Sequence, residues 1–267
     1  MEPTLMALLL VVTLGGFAWS ATRRIRQLRV GAPDPHFTLS GGEWWRRLWD
    51  VVDYALLQRR MTDPRSRYRA AGIGHALIFW GFSVLALRTL MLWARGFDAD
   101  FDFWGLFAMD APLGMAYGFA KDTFVLLVLA GVAVFFVLRA RRTPRMTLSG
   151  EAYLILGIIA TMMVADLIYD GAWFLLQARQ AGVPFAFHPA EYAGSTLASL
   201  FDAMDLESGT LVVLSHVGFW THSSLVLIFL NILPFSKHFH VITVLPNVYT
   251  RDRTPPGTLP KVDDIEG

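Results

Sequence analysis

Residues 208–236 read SGTLVVLSHVGFWTHSSLVLIFLNILPFS, 29 residues without Lys, Arg, Asp or Glu. A helix rises about 1.5 Å per residue, so roughly 20 apolar residues cross the hydrocarbon of a bilayer. This run therefore predicts a transmembrane helix. Four others resemble it: Pro3–Thr22, Ala70–Ala94 broken only by Arg88, Ala111–Leu138 with Lys121 and Asp122 near its start, and Ala152–Ala178 with Asp166 and Asp170 in its later half. Composition agrees, since 54% of the 267 residues are hydrophobic and the mean hydropathy is +0.45, above the usual soluble range. The expected fold is all-α, a polytopic membrane bundle of five transmembrane helices with one interfacial amphipathic helix.

Net charge is only +1, but its placement is uneven. Residues 23–69 hold eleven arginines, residues 139–145 hold four, and the tail from Lys237 holds four Lys or Arg, while the other two loops hold only Arg95 and Arg179. Basic loops stay on the cytoplasmic side. The expected topology has the N-terminus outside and the C-terminus in the cytoplasm. A cleaved signal peptide is the rival reading of the first run, with Ala18-Trp19-Ser20 as a cleavage site. Such a peptide begins positively charged, however, and here only Glu2 is charged, so an uncleaved anchor is expected.

Between the first two spans, Glu43–Arg60 repeats Trp44, Trp45, Leu48, Val52, Ala55 and Leu56 at three- and four-residue steps among arginines. That pattern predicts an amphipathic helix on the inner membrane surface or, alternatively, on a soluble partner. Residues 1–245 are expected to form the membrane domain. Residues 246–267, with Pro246, Pro255, Pro256 and Pro260 and the closing acids Asp263, Asp264 and Glu266, read as a cytoplasmic linker or tail. A linker here points to a further domain or a separate subunit. With no cysteine, this chain itself holds no disulfide, thiolate zinc site or cysteine-ligated iron–sulfur cluster.

Seven histidines remain. His36 and His188 fall in predicted loops and read as solvated. His75, His216, His222, His238 and His240 lie in, or at the ends of, two spans, where an imidazole needs a carbonyl, a carboxylate or a metal. His222 and His240 are 18 residues apart, about five turns and about 27 Å along one unbroken helix face. His216 and His238 fall about 40° apart by the same arithmetic. Imidazoles so spaced suit stacked hemes, with the facing helix supplying the other axial ligands. His75 lies at the inner end of the second span, level with His238 and His240, so a bis-histidine heme b between spans two and five is expected. Pro234 interrupts the angular argument. The alternative is that these histidines are hydrogen-bonded or interfacial. Gly72, Gly74, Gly81 and Gly218 would admit a flat macrocycle or, equally, close helix packing.

The stretch Gly74-His75-Ala76-Leu77-Ile78-Phe79-Trp80-Gly81-Phe82, with Ser236-Lys237-His238-Phe239-His240 and Pro246-Asn247-Val248, resembles the cytochrome b domain of respiratory nitrate reductase gamma subunits. It is more similar still to the membrane domain at the front of heterodisulfide-reductase-like iron–sulfur oxidoreductases, among them the electron-transfer-flavoprotein:menaquinone oxidoreductases. The resemblance covers essentially the whole chain. It implies heme iron ligated by His75, His222 and His240, and the outer ligand expected ten residues after His75 falls on Leu85. It also implies a bacterial cytoplasmic membrane, a menaquinone or related quinone, and a cytoplasmic iron–sulfur partner or fused domain linked to electron-transfer flavoprotein. No nucleic-acid partner is expected.

Quinone chemistry moves two protons with two electrons, so its site needs titratable groups. Lys121, Asp122, Arg88 and Asp166 are the candidates, with Asp170 beside them, because charges within a membrane are functional candidates by default. Snorkelling of Lys121 and Asp122 and a structural Arg88–Asp166 pair are the alternatives. The leading expectation is the membrane part of a quinone-linked oxidoreductase holding one or two hemes b. The rivals are a proton-coupled transporter or channel, opposed by the absence of an inverted repeat, and a heme-free membrane anchor.

Overall fold

In the computed structural model, residues 2–28, 30–31, 41–142 and 149–253 are described, and these form helices and turns with no strand among them. His36 and the tail beyond residue 253 lie outside the described residues. Five helices are long and apolar enough to cross a membrane: α1 (Pro3–Leu28), α3 (Arg69–Arg95), α4 (Pro112–Ala140), α5 (Gly150–Gln180) and α7 (Ser208–Ile232). Helices suit such runs because every internal backbone group is paired within the segment. Starts follow local chemistry. Pro112 opens α4, where no amide donor is required, and the Ser149 side chain caps α5 by accepting from Ala152 N at 3.2 Å.

Helix α5 is the axis of the bundle, packing along α7, α4 and a shorter helix, α6 (Tyr192–Ala203). Helix α3 pairs with α4. Leu85, Val125, Val128, Val132, Ile155, Met162 and Phe229 share one apolar core. The glycines go to helix approach. A Cβ on Gly81 would run into Val128, one on Gly74 would meet Val134 and Phe135, and one on Gly218 would lie 2.6 Å from Ala165 O and 2.7 Å from Tyr169 N. Gly72 stands against the Met61 carbonyl.

The fifth span does not run on to His240. Helix α7 ends at Ile232, and two 3-10 turns, Leu233–Phe235 and Lys237–Phe239, flank an extended Ser236 before α8 (His240–Tyr249) begins. Pro234 has no amide to continue the ladder. Its carbonyl accepts instead from Arg24 Nε at 2.7 Å, while Asn231 Nδ2 donates to Thr13 O at 3.0 Å, so α1 braces the break. His222 and His240 therefore do not share a helix face, and the five-turn arithmetic fails for this reason.

The segment expected to be amphipathic forms α2 (Glu43–Asp50) and a π-helical turn, Val51–Leu56. Trp44, Trp45, Leu48 and Trp49 are exposed. Arg47 is buried and donates to Tyr249 O and Arg251 O, both at 3.0 Å, and Asp50 takes ion pairs from Arg251 and Arg253 at 3.1 Å. Helix α8 spans residues 240–249.

Candidate functional site

Two polar centres lie at opposite ends of the bundle. The first is built from the late part of α3, the start of α4 and the late part of α5. Arg88 Nε donates to Asp166 Oδ1 at 2.9 Å, and its Nη2 donates to Asp170. Lys121 also binds Asp170, reaches Glu191 Oε2 at 2.6 Å and lies 3.2 Å from Asp122 Oδ1. Arg88, Lys121, Asp122, Asp166 and Asp170 are each 3% exposed or less, so Lys121 does not snorkel. Arg88 also lies 5.4 Å from the ring centre of the buried Tyr169. Charges this deep are tolerated because each has a partner, and removing one strands the others.

Asp122 has a second task. Its Oδ2 accepts from Ala193 N at 2.6 Å and Gly194 N at 3.3 Å, the opening amides of α6. A carboxylate there satisfies unpaired donors and meets the positive end of the helix dipole. Among the described residues, Asp122 Oδ1 is buried without an aligned hydrogen bond. Asp122, Asp170 and Glu191 bring carboxylate oxygens within 4.8 Å of one another, and the Lys121 ammonium binds all three. Burial alone would raise the Glu191 carboxyl, but Lys121 and Arg88 outweigh it and hold it below the ordinary glutamate range.

Beside this network is a cavity of about 290 Å³, close to the lower limit for small-molecule sites. Arg88, Lys121, Asp170 and Glu191 form one wall, and Phe107, Tyr117, Trp173 and Phe174 line it with rings.

At the other end, the His75 and His240 rings face each other with centroids 6.1 Å apart and planes inclined by 26°. A metal–imidazole nitrogen bond is about 2.0 Å and the ring centroid lies roughly 1.1 Å beyond it, so two imidazoles on opposite sides of one metal would hold their centroids about 6.2 Å apart. His240 Nδ1 lies 3.0 Å from Lys237 O. Such a contact orients a ligating imidazole and leaves Nε2 to the metal. His75 Nδ1 is buried with no hydrogen-bond partner among the described residues. The centroid separation and the unpartnered His75 Nδ1 are compatible with two imidazoles sharing one metal. His238 is adjacent, its ring centroid 6.3 Å from that of His240 and its Nδ1 3.3 Å from Glu151 Oε1 without hydrogen-bond alignment. Burial keeps His238 below the ordinary histidine range, with Glu151 pulling the other way.

The remaining histidines stand apart. His222 is buried between α3, α5 and α7, its Nε2 3.3 Å from Thr89 Oγ1, its Nδ1 3.3 Å from Met162 O, and Asp166 3.9 Å away. Both nitrogens thus meet protein atoms, and the group facing the ring is Thr89 rather than a second imidazole. His216 is half-buried on α7, and His188 lies edge-on to Phe174 and Phe185.

The chain is similar to an EtfAB:quinone oxidoreductase from Syntrophomonas wolfei subsp. wolfei (strain DSM 2245B / Goettingen), 25% identical over 216 residues. The alignment covers 79% of this chain and 28% of that protein, so the chain spans less than a third of its relative's length. No protein-family model matches, and no solved structure matches.

Sequence reasoning missed Glu191 and the contact of Thr89 with His222. Glu191 lies in a loop turn, Pro189–Glu191, and charged loop residues carry no signal of burial. Pro189 ahead of a short apolar run was the only pointer to α6.

Proposed function

We propose that this chain is the membrane module of a quinone-linked electron-transfer system, with one heme b held between His75 and His240. It exchanges electrons between a menaquinone-like quinone and a cytoplasmic iron–sulfur partner or domain served by an electron-transfer flavoprotein. The carrying observation is the His75–His240 ring geometry, with its 6.1 Å separation and the orienting contact from Lys237 O. The relative's name, a quinone oxidoreductase, supports the same reading. A bound heme would supply one-electron exchange, and the chain would supply ligands and orientation. His222 is assigned to the polar network and not to a second heme.

The quinone headgroup is placed in the cavity at the opposite end, where the Arg88 guanidinium has donors beyond those given to Asp166 and Asp170 and the aromatic wall packs the ring. Under the positive-inside rule, that cavity faces outward and the His75 end faces the cytoplasm. Exposed Trp44, Trp45 and Trp49 then lie in the inner lipid interface. The test is a visible spectrum of the detergent-purified protein with heme quantified per chain. Reduced b-type bands at a ratio near one are expected. A colourless preparation overturns the proposal in favour of a heme-free anchor or a transporter.

A further inference from the structure

Resting on that quinone-linked reading, we infer that Glu191 is the carboxylate through which the quinone site exchanges protons with the aqueous face at its own end of the bundle.

Position is the first argument. Four carboxylates meet the two cations Arg88 and Lys121, and three of them, Asp122, Asp166 and Asp170, sit on spanning helices with side chains 1% exposed. Glu191 belongs to the loop turn before α6, and its side chain is 16% exposed. It also lines the cavity. Among these four acids, it is the one that touches the buried network and retains access to the loop surface. The second argument is charge. Four acids against two cations leave an excess of negative charge in surroundings that penalise it. Asp122 is neutralised in part by the α6 amides and Asp166 by Arg88. Asp170 and Glu191 are joined through the Lys121 ammonium, so a proton arriving at either carboxylate is within one hydrogen-bonded step of the loop surface.

Oxidation of a quinol to a quinone releases two electrons and two protons. The electrons would go one at a time to the one-electron acceptor that the proposed function assigns to the His75 end. Each proton leaves a quinol hydroxyl for a carboxylate oxygen of Asp170 or Glu191, which the Lys121 ammonium holds together, and Glu191 delivers it to water. When electrons run the other way, the same groups return protons to the quinone oxygens. The groups facing Glu191 are Lys121 and Asp122 from α4, Asp170 from α5, and Arg88 and Arg95 from α3, with Asp100 and Asp102 of the α3–α4 loop lining the same cavity.

The experiment is Glu191→Gln in the full chain, with a short-chain menaquinol analogue reducing the b-type centre in stopped flow. The expected result is an unchanged heme spectrum, a reduction rate lowered at least tenfold, and loss of the acid limb of the wild-type pH profile, with Glu191→Asp recovering part of the rate. Infrared difference spectra on quinone reduction give a second readout, in which a deuterium-sensitive carboxyl band is expected in the wild type and absent from E191Q. Wild-type rate and pH profile in E191Q, or retention of that band, overturn the inference while leaving the electron-transfer reading intact. Absence of heme in the wild type sinks that reading instead. If E191Q does not fold, the band in Glu191→Asp decides, a shifted band supporting the assignment and an unshifted one overturning it.

Discussion

At the Glu191 end, Arg88 has two carboxylate partners and Lys121 has three. At the His75 end, two imidazoles face each other at 6.1 Å and His75 Nδ1 has no protein partner among the described residues. Both ends place ionisable groups where apolar side chains would be expected. The first pairs each of its charges with an opposite charge, so its members hold one another. The second leaves a buried ring nitrogen, His75 Nδ1, without a hydrogen-bond partner among the described residues. A polar centre is thus read less by its residue types than by what remains unpaired.

The sharpest way to break the contrast is at the imidazoles. His75→Ala is expected to remove all b-type absorption, whereas His222→Ala leaves it in place, as read from spectra of the purified variants; heme loss in both would merge the two centres. Next comes Arg88→Ala, which strands Asp166 and Asp170 and is expected to cost about 3–5 kcal/mol, measured as a fall in unfolding midpoint in detergent. Gly218→Ala forces a methyl against the α5 backbone at Ala165 and Tyr169 and is expected to cost about 1–3 kcal/mol in the same assay. Asp122→Asn weakens the hold on the α6 amides by about 0.5–2 kcal/mol, seen as faster amide exchange at Ala193 and Gly194. Arg46→Ala, at an exposed pair with Glu43 of 3.5 Å, is expected to change stability by less than about 1 kcal/mol.

The five long helices were legible because hydrocarbon thickness imposes a run length that a sequence displays directly. Lys121, Arg88 and Asp166 were legible for the same reason, since a charge inside such a run needs a partner. Partner identity was not, because Glu191 comes from a loop 70 residues from Lys121, and spacing along one helix says nothing about it. Helix α6, at 12 residues, is too short to announce itself as a span. The His222–His240 interval misled because angular arithmetic assumes one continuous helix, and an extended Ser236 discards that phase. The approach of His75 and His240 was expected from their shared level at one end, which survives the break.

That break has a mechanical consequence. Adding a residue within residues 216–232 would rotate everything beyond it by about 100° and unseat the packing on α5. Adding one beside Ser236 would fall in a joint that keeps no helical phase, with Arg24 still clasping Pro234 on one side and Asp50 still tethering the tail on the other. The segment carrying His240 is in this sense hung from its neighbours, Arg24 at Pro234 and Asp50 at Arg251 and Arg253, rather than driven by the span that precedes it.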